Sequence, residues 1–346
     1  MAIFNQDIIG IDMGTSATAV YVDGLGVCLR EPTRMLVSKE DIRQVAAIGE
    51  EANRLADRAP EDIISMPPVR DGAVTDIDLA ALMMLAMAEK AAGRKKPMEK
   101  GRLLVSAPTG LTHVEHAALL SAAGLTGAKR IAAVNSSVAA AIGSGMDISG
   151  PQAQLLVDLG GGATEIAVLS LSGVAASRCL RTAGMHFDEA IIRYMRSKKG
   201  LSIGARTAEE IKKTVGSALP PPEGSTGDIT RVRGRDLKTG KPMEMSVNAR
   251  EISEALRESV RVLVGAVQDV LIHLPDEYAG DIKKSGLRLT GGCSLLSGLS
   301  EALAEETGLT VEISQTPQDD VANGLGVIGR DDRLLRELIA AGSAVE

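Results

Sequence analysis

The chain has 346 residues, enough for two or three domains with sizeable cores. Its 45% hydrophobic and 24% charged content is that of an ordinary globular protein, and its net charge of −7 disfavours nucleic acid as a partner. With no Trp, two Phe and three Tyr, it also lacks the aromatic platforms on which single-stranded bases stack.

The cysteines and the apolar runs indicate the cellular compartment. Cys28, Cys179 and Cys293 are far apart and odd in number, which fits neither a disulfide framework nor a C-x-x-C metal site. No apolar run reaches the ~20 residues of a transmembrane helix, and no signal peptide precedes the first predicted strand. We therefore expect a cytoplasmic protein.

The chain begins with a predicted strand, turn and strand over residues 7–23. The apolar run IIGI is followed by Asp12, Gly14 and Thr15, and then by a second apolar run. In such a turn the amides or hydroxyls of Gly14, Thr15 and Ser16 can receive a terminal phosphate. Asp12 can then hold the water shell of a metal ion.

The next part of the chain predicts a small insertion followed by helices and strands. Residues 31–66 contain short strands and a helix over 50–57, and helices follow over 79–92 and 112–123. Thr112 is the expected N-cap of the last helix, with Glu115 completing a capping box. A strand over 103–107 lies between these helices, another follows over 131–134, and the Ala- and Gly-rich segment 136–145 predicts a closely packed helix.

A second hairpin is predicted in the stretch LLVDLGGGATEI, residues 155–166. Asp158 stands at the end of an apolar strand, and Gly160, Gly161 and Gly162 follow it. The glycines open backbone angles that other residues avoid and remove the Cβ atoms that would keep a phosphate from the amides. One such turn alone is equally compatible with a simple tight turn. Two copies predict two similar domains facing each other across a nucleotide cleft, with Asp12 and Asp158 holding hydrated Mg²⁺.

The remaining segments predict the side of the cleft that would hold a nucleoside. A helix over 207–217 places Glu209 and Lys212 about one turn apart, within reach of a ribose or adenine edge, although spacing alone favours a solvated charged face. A long amphipathic helix covers 250–274. A strand over 287–290 then leads through Gly291 and Gly292 onto a predicted helix over 295–307, and this turn can lie flat against a purine.

Three segments, IGIDMGTSATAVYV, LLVDLGGGATEIAVLS and LRLTGGCSLLSGL, resemble the actin-like ATPase superfamily, and within it the MreB-like bacterial actins. Further similar stretches follow in the family's order over essentially the whole chain. The resemblance implies an α/β actin-like fold with two facing domains, duplicated mixed sheets and a nucleotide cleft between them. It divides the chain into four subdomains: IA (1–31, 66–144 and 317–346), IB (32–65), IIA (145–180 and 250–316) and IIB (181–249).

The resemblance also implies ATP or ADP with Mg²⁺ in the cleft. Glu209 and Lys212 would meet ribose and adenine, and Gly291 and Gly292 would flank the base. The residues that would contact phosphate and metal are Asp12, Gly14, Thr15, Asp158, Gly160, Gly161 and Gly162. Subunits of this family stack head to tail into protofilaments that are usually paired, so the expected partner is the chain itself.

Two positions depart from the family pattern. The family carries a glutamate that polarises the attacking water, where this chain has Ser136, and a water-positioning threonine, where this chain has Ala163 followed by Thr164. A missing orienting group costs orders of magnitude in the rate of phosphoryl transfer. We therefore expect ATP binding with slow or absent hydrolysis, unless Asn135 or Thr164 holds the water instead.

Members of this family also attach to membrane. Residues 1–7 are too short to anchor the chain alone, so a weak contact peripheral to the inner membrane would depend on a basic loop over 93–102. Its candidate residues are Arg94, Lys95, Lys96, Met98, Lys100 and Arg102. A non-polymerising assembly or chaperone-like factor of the same fold is the main alternative function. A sugar or acetate kinase is weaker, because no additional catalytic acid is identifiable.

Overall fold

The computed structural model describes residues 8–99 and 101–346. The first part of the chain consists of β1 (Ile8–Met13), β2 (Ala17–Val22), β3 (Gly26–Pro32), β4 (Met35–Ser38), β5 (Val45–Ile48), α1 (Glu50–Leu55), a 3-10 turn (Ala56–Arg58), β6 (Ile63–Met66), β7 (Val69–Arg70), β8 (Ala73–Val74), α2 (Ile77–Ala92), β9 (Arg102–Ala107), α3 (His113–Gly124), β10 (Arg130–Asn135) and α4 (Ser136–Gly143). The predicted capping box is present, since Thr112 Oγ1 accepts from Glu115 N and Glu115 accepts from Thr112 N.

The second part begins at the predicted second hairpin. It consists of β11 (Gln154–Leu159), β12 (Thr164–Ser170), β13 (Gly173–Leu180), α5 (Gly184–Lys199), β14 (Leu201–Ser202), α6 (Ala205–Val215), β15 (Ile229–Asp236), β16 (Pro242–Asn248), α7 (Ala249–Ile272), α8 (Asp276–Ser285), β17 (Leu287–Thr290), a 3-10 turn (Gly292–Leu295), α9 (Leu299–Thr307), β18 (Val311–Ile313), α10 (Asp320–Arg330), α11 (Asp332–Ala340) and β19 (Ala344–Val345).

Two large mixed sheets share one construction. Their strand orders are β19-β10-β9-β1-β2-β3 and β13-β12-β11-β17-β18. Each contains an antiparallel meander, β1-β2-β3 or β11-β12-β13, which is continued on one side by parallel strands, β9-β10 or β17-β18. The predicted duplication of a mixed sheet is therefore present in the structure.

Smaller sheets are inserted into each half. The sheet β5-β4-β6 with α1 follows β3, in the segment where the sequence predicts an insertion, and the sheet β14-β15-β16 precedes α7. In the described part of the chain, no helix combines the length and the apolar character needed to cross a membrane.

Helices α4 and α10 pack between the two large sheets. Buried residues of both sheets, among them Leu104 and Leu156, share a core cluster with α4 and α10. The helices approach so closely that a Cβ on Gly324 would collide with the backbone of Ala139. This contact confirms the close packing that the Ala- and Gly-rich composition predicts, and it connects the two halves behind the cleft.

Some predicted boundaries differ from the structure. The helix predicted over 295–307 begins at Leu299, because Gly298 adopts a φ of +73° and separates it from the preceding 3-10 turn. Helices α8 and α11 were not predicted. Both are short and rich in charge, and only Ile282 of α8 and Leu335 and Leu338 of α11 are buried, so each offers few apolar positions from which to recognise a helix.

The predicted basic loop is smaller than its sequence indicates. Arg102 belongs to β9 and is buried, since its Nη1 donates to the carbonyl of Gly329 at 2.9 Å and its other amino group pairs with Asp332. Met98 is buried as well. The prediction that these two residues face lipid is therefore wrong. Lys100 and residues 1–7 lie outside the described residues, which leaves Arg94, Lys95 and Lys96 on the exposed loop.

Candidate nucleotide-binding cleft

The two acid-bearing turns have the same backbone geometry. Gly14 N donates to the carbonyl of Ala17 at 3.0 Å, and Gly160 N donates to the carbonyl of Ala163 at 3.0 Å. Asp12 and Asp158 occupy equivalent strand positions, two residues before these glycines. The sequence prediction of a repeated hairpin is borne out in the hydrogen bonds of each turn.

The turns also touch each other. Gly161 lies against Ser16, and a Cβ added to Gly162 would come within 2.6 Å of Thr15 Oγ1. Thr15 Oγ1 also accepts a hydrogen bond from Gly72 N at 3.2 Å, which holds its turn in place. Glycine is therefore required where the second turn meets the first, because any side chain there would push the two turns apart.

The acids behind the turns lie in a strongly negative environment. Burial raises the pKa of Asp12 to about 6, with the charge of Glu165 adding to the rise and a hydrogen bond from Ser106 opposing it. Burial also raises the pKa of Asp158 well above its ordinary value, and the charges of Glu165, Asp12 and Asp320 raise it further. Such a group of buried acids favours a bound cation, so Asp12 and Asp158 fit the predicted Mg²⁺ site.

Asp12→Asn is expected to stabilise the nucleotide-free protein by roughly 1–3 kcal/mol near pH 7. The pKa of Asp12 is raised from its ordinary 3.8 to about 6, so the folded protein binds more protons than the unfolded chain between these values. This acid therefore destabilises the fold increasingly as pH rises toward about 6. Urea denaturation without nucleotide should show the full gain near pH 7 and little gain near pH 4. An equal effect at both pH values would contradict the assignment.

Two cavities meet at the turns. The smaller, of 190 Å³, is lined by Asp12, Asp158, both turns and Gly291. The larger, of 920 Å³, is lined by Glu209, Lys212 and Cys293. Both are lined by Ser16, Ala17, Arg30, Gly160, Gly161, Gly292 and Gln318. The volumes suit phosphates in the smaller cavity and a nucleoside in the larger one, and we therefore call them the phosphate cavity and the nucleoside cavity.

Gly291 forms a tight connection between the second turn and the nucleoside cavity. Its φ is +81°, and a Cβ there would collide with the carbonyl of Leu159 and the carboxylate of Asp158. Its N–H donates to the carbonyl of Pro317 at 2.8 Å. The structure thus requires glycine at this position. Gly291 lines the smaller cavity and Gly292 lines both cavities, and their contacts with a base remain a prediction.

The predicted nucleoside contacts lie on α6 at the wall of the larger cavity. Lys212 Nζ donates to the carbonyl of Gly184 at 2.9 Å and lies 2.8 Å from Asp188 Oδ1. Glu209 pairs with Lys213 at 2.7 Å. The structure therefore places Glu209 and Lys212 beside the cavity, where spacing alone would have favoured a solvated face. Their contacts with ribose and adenine remain a prediction.

The sequence matches the MreB/Mbl protein family over residues 6–336. The chain belongs to this family. It is similar to the cell shape-determining protein Mbl of Bacillus subtilis (strain 168), with 39% identity over 325 residues, which are 94% of this chain and 96% of that protein. It is equally similar to the cell shape-determining protein MreB of Escherichia coli (strain K12), with 39% identity over 329 residues and 93% of each chain.

A solved structure supports the same assignment. The fold matches that of MreB5 of Spiroplasma citri bound to AMPPNP, with a TM-score of 0.88 and 28% identity over 98% of this chain and 99% of that chain. The predicted actin-like fold is confirmed.

Ser136, which the resemblance places at a glutamate position of the family, is hydrogen-bonded to a buried carboxylate. Ser136 begins α4 and lines the phosphate cavity, where its Oγ donates to Glu165 Oε1 and Oε2 at 2.9 and 2.8 Å. Glu165 is buried on β12 and also lines this cavity. Sequence reasoning missed Glu165 as a site residue. Its position seven residues after Asp158, opposite that residue in the hairpin, was the available signal.

The other candidates for holding water differ in position. Ala163 lines the phosphate cavity, as expected for its place in the turn. Thr164 is fully buried, and its hydroxyl donates to the carbonyl of Thr182 at 2.7 Å. Asn135 caps α4 by accepting from Val138 N at 3.2 Å. The structure thus removes Thr164 as a water holder, and the side-chain oxygen of Asn135 is committed to its helix.

Proposed function

We propose that this chain is an ATP-binding bacterial actin homologue that polymerises head to tail into cytoskeletal filaments. These filaments would serve in cell shape or in the positioning of an organelle or plasmid. The observation that carries the proposal is the pair of equivalent acid-bearing turns that touch at the phosphate cavity. Two relatives are cell shape-determining proteins by name, and the similar MreB5 structure is bound to AMPPNP. Asp12 and Asp158 would hold Mg²⁺ through its water shell.

Slow hydrolysis is the second part of the proposal. The phosphate cavity is lined by Ser136 and Ala163 where the family pattern has a glutamate and a threonine. Neither residue can accept a proton from water as a carboxylate does. Filaments of this chain should therefore keep bound ATP longer than filaments of a relative with the full pattern.

Polymerisation with phosphate measurement tests both parts. Purified protein with Mg²⁺ and ATP at micromolar concentration should pellet and form filaments visible by electron microscopy, whereas the nucleotide-free protein should not. Single-turnover phosphate release in those filaments should be slow. Absence of filaments would favour the non-polymerising assembly factor, and a release rate equal to that of a relative with the full pattern would contradict slow hydrolysis.

We also propose a weak contact between the filament and anionic lipid at the inner membrane. The exposed loop carries Arg94, Lys95 and Lys96, although Lys95 already pairs with Glu89 at 2.6 Å. Each basic residue near an anionic surface contributes about 1 kcal/mol, and a filament multiplies such weak contacts.

Reversing the charge of Lys95 and Lys96 to glutamate is expected to abolish co-sedimentation of filaments with phosphatidylglycerol vesicles. The loss follows from replacing attraction by repulsion at two points per subunit. The same change at Lys283 and Lys284, which are exposed on α8, is the matched control and should have little effect. Equal losses from both pairs, or equal binding to neutral vesicles, would contradict the loop contact.

A further inference from the structure

The phosphate cavity contains a buried carboxylate that the proposed function leaves without a role. Glu165 projects from β12 of the second large sheet and is only 7% exposed. The residues that surround it come from the first large sheet and its connections, and they are Thr109, Ser136 and Ser137. Glu165 is thus a negative charge held across the cleft.

Hydroxyl groups hold this carboxylate in one orientation. Ser137 Oγ donates to Glu165 Oε2 at 2.7 Å, and Thr109 Oγ1 donates to the same oxygen at 2.8 Å. Thr109 N donates to Oε1 at 3.3 Å. Hydrogen bonds to an ionised carboxylate are stronger than those between neutral groups, so Glu165 has little freedom to turn.

Ser136 differs from the other two hydroxyl residues in two respects. It shares its proton with both oxygens of Glu165 and also lines the phosphate cavity, whereas the cavity lining includes neither Ser137 nor Thr109. A hydroxyl has one proton to donate and two lone pairs that accept. Because the proton of Ser136 is directed to Glu165, its oxygen remains an acceptor for a water molecule in the cavity.

We propose that Ser136 and Glu165 form a proton relay that positions the attacking water, an inference that rests on ATP as the ligand of this cavity. The water oxygen forms a bond to the γ-phosphorus while the bond from that phosphorus to the β–γ bridging oxygen breaks, and its electron pair stays on ADP. The water proton passes to Ser136 Oγ as the proton of Ser136 passes to Glu165. Glu165 releases this proton to solvent as phosphate leaves.

The relay explains how Ser136 can support slow hydrolysis of ATP rather than none. A serine hydroxyl alone is a poor base, but one that donates to a carboxylate can pass a proton on as it receives one. Ser136 is then the catalytic residue because it touches the water, and Glu165 is a positioning residue that acts through it. Two transfers replace one, so the rate stays below that of a carboxylate in direct contact with water.

Phosphate release by the full chain, polymerised with Mg²⁺ and ATP, tests the relay. Ser136→Ala and Glu165→Gln are each expected to lower the single-turnover rate at least about tenfold. Ser137→Ala is the matched control, since it removes a hydrogen bond to the same carboxylate away from the cavity, and it should lower the rate less than about threefold. Nucleotide affinity and filament pelleting are measured for each variant.

A rescue experiment separates the relay from a structural role. Ser136→Glu in the Glu165→Gln background should restore phosphate release to at least the unmodified rate, because it places a carboxylate in direct reach of the water. If Glu165 only held the two halves together, Ser136→Ala and Ser137→Ala would have equal effects and the rescue would fail.

The outcomes distinguish the relay from the function on which it rests. If the unmodified protein does not bind ATP, or does not form filaments, the proposed function itself is overturned. Normal binding and filaments with no phosphate release above the spontaneous rate, or with equal effects of the two serine changes, would overturn the relay and leave the proposed function standing. If Glu165→Gln does not fold, the comparison of phosphate release between Ser136→Ala and Ser137→Ala decides whether the relay exists.

Discussion

Asp158→Ala is expected to weaken binding of Mg²⁺ and ATP at least about a hundredfold, equivalent to about 2.8 kcal/mol, while leaving the protein folded. Asp158 lies in β11 two residues before Gly160, and burial holds its pKa well above the ordinary value, with the charges of Glu165, Asp12 and Asp320 adding to the rise. A bound cation would offset these charges, so removing one acid removes much of the attraction for it. Fluorescence titration with a labelled ATP analogue measures the loss.

Asp147 supplies a matched control for this change. It is an exposed acid in the same half of the protein, outside both cavities, and its carboxylate accepts from Ser149. Asp147→Ala should leave the affinity for Mg²⁺ and ATP unchanged. Binding by Asp158→Ala within threefold of the unmodified protein would show that the cation, if bound, lies elsewhere.

The double change Ser136→Glu with Ala163→Thr is expected to accelerate phosphate release in filaments at least about tenfold. It supplies a carboxylate in direct reach of the water and a hydroxyl beside it, at two positions that line the phosphate cavity. Glu165 would keep its hydrogen bonds from Ser137 and Thr109, so the cavity wall should remain in place. Single-turnover phosphate release measures the rate, and light scattering follows the lifetime of the filaments.

Ala163→Thr alone is the control for the double change. Without the carboxylate it should alter phosphate release less than about threefold, because orientation without a base supplies only part of the effect. An unchanged rate in the double variant, with ATP binding intact, would show that water activation does not limit hydrolysis and that another step, such as a filament rearrangement, does.

The binding turns were predictable because their information is local. Each turn is a short pattern, an aspartate near the end of an apolar strand followed by small residues such as Gly160 to Gly162, and the presence of two copies predicts phosphate binding. The capping box at Thr112 and Glu115 was predictable for the same reason. The position of Glu209 and Lys212 at the larger cavity could not be predicted from spacing, since helical spacing places them on one face without showing what that face contacts.

The surroundings of Glu165 and Arg102 could not be predicted in this way. Glu165 receives hydrogen bonds from residues between 28 and 56 positions away, and the packing of the two large sheets brings them together. Arg102 stands next to a run of exposed basic residues, yet its partners Gly329 and Asp332 lie more than two hundred positions later. Charge in a sequence does not indicate burial when the compensating partner is distant.

The sequence alone therefore determined that this chain has two equivalent acid-bearing turns, belongs to its family and adopts an actin-like fold, because each depends on short runs of residues repeated in order. Only the tertiary structure decided what surrounds Ser136. Ser136 on its own predicts a lost base, whereas the folded protein places its hydroxyl on a buried carboxylate from the opposite half. The physical reason is that a proton moves between neighbours in space, and these neighbours meet only when the two sheets pack against α4 and α10.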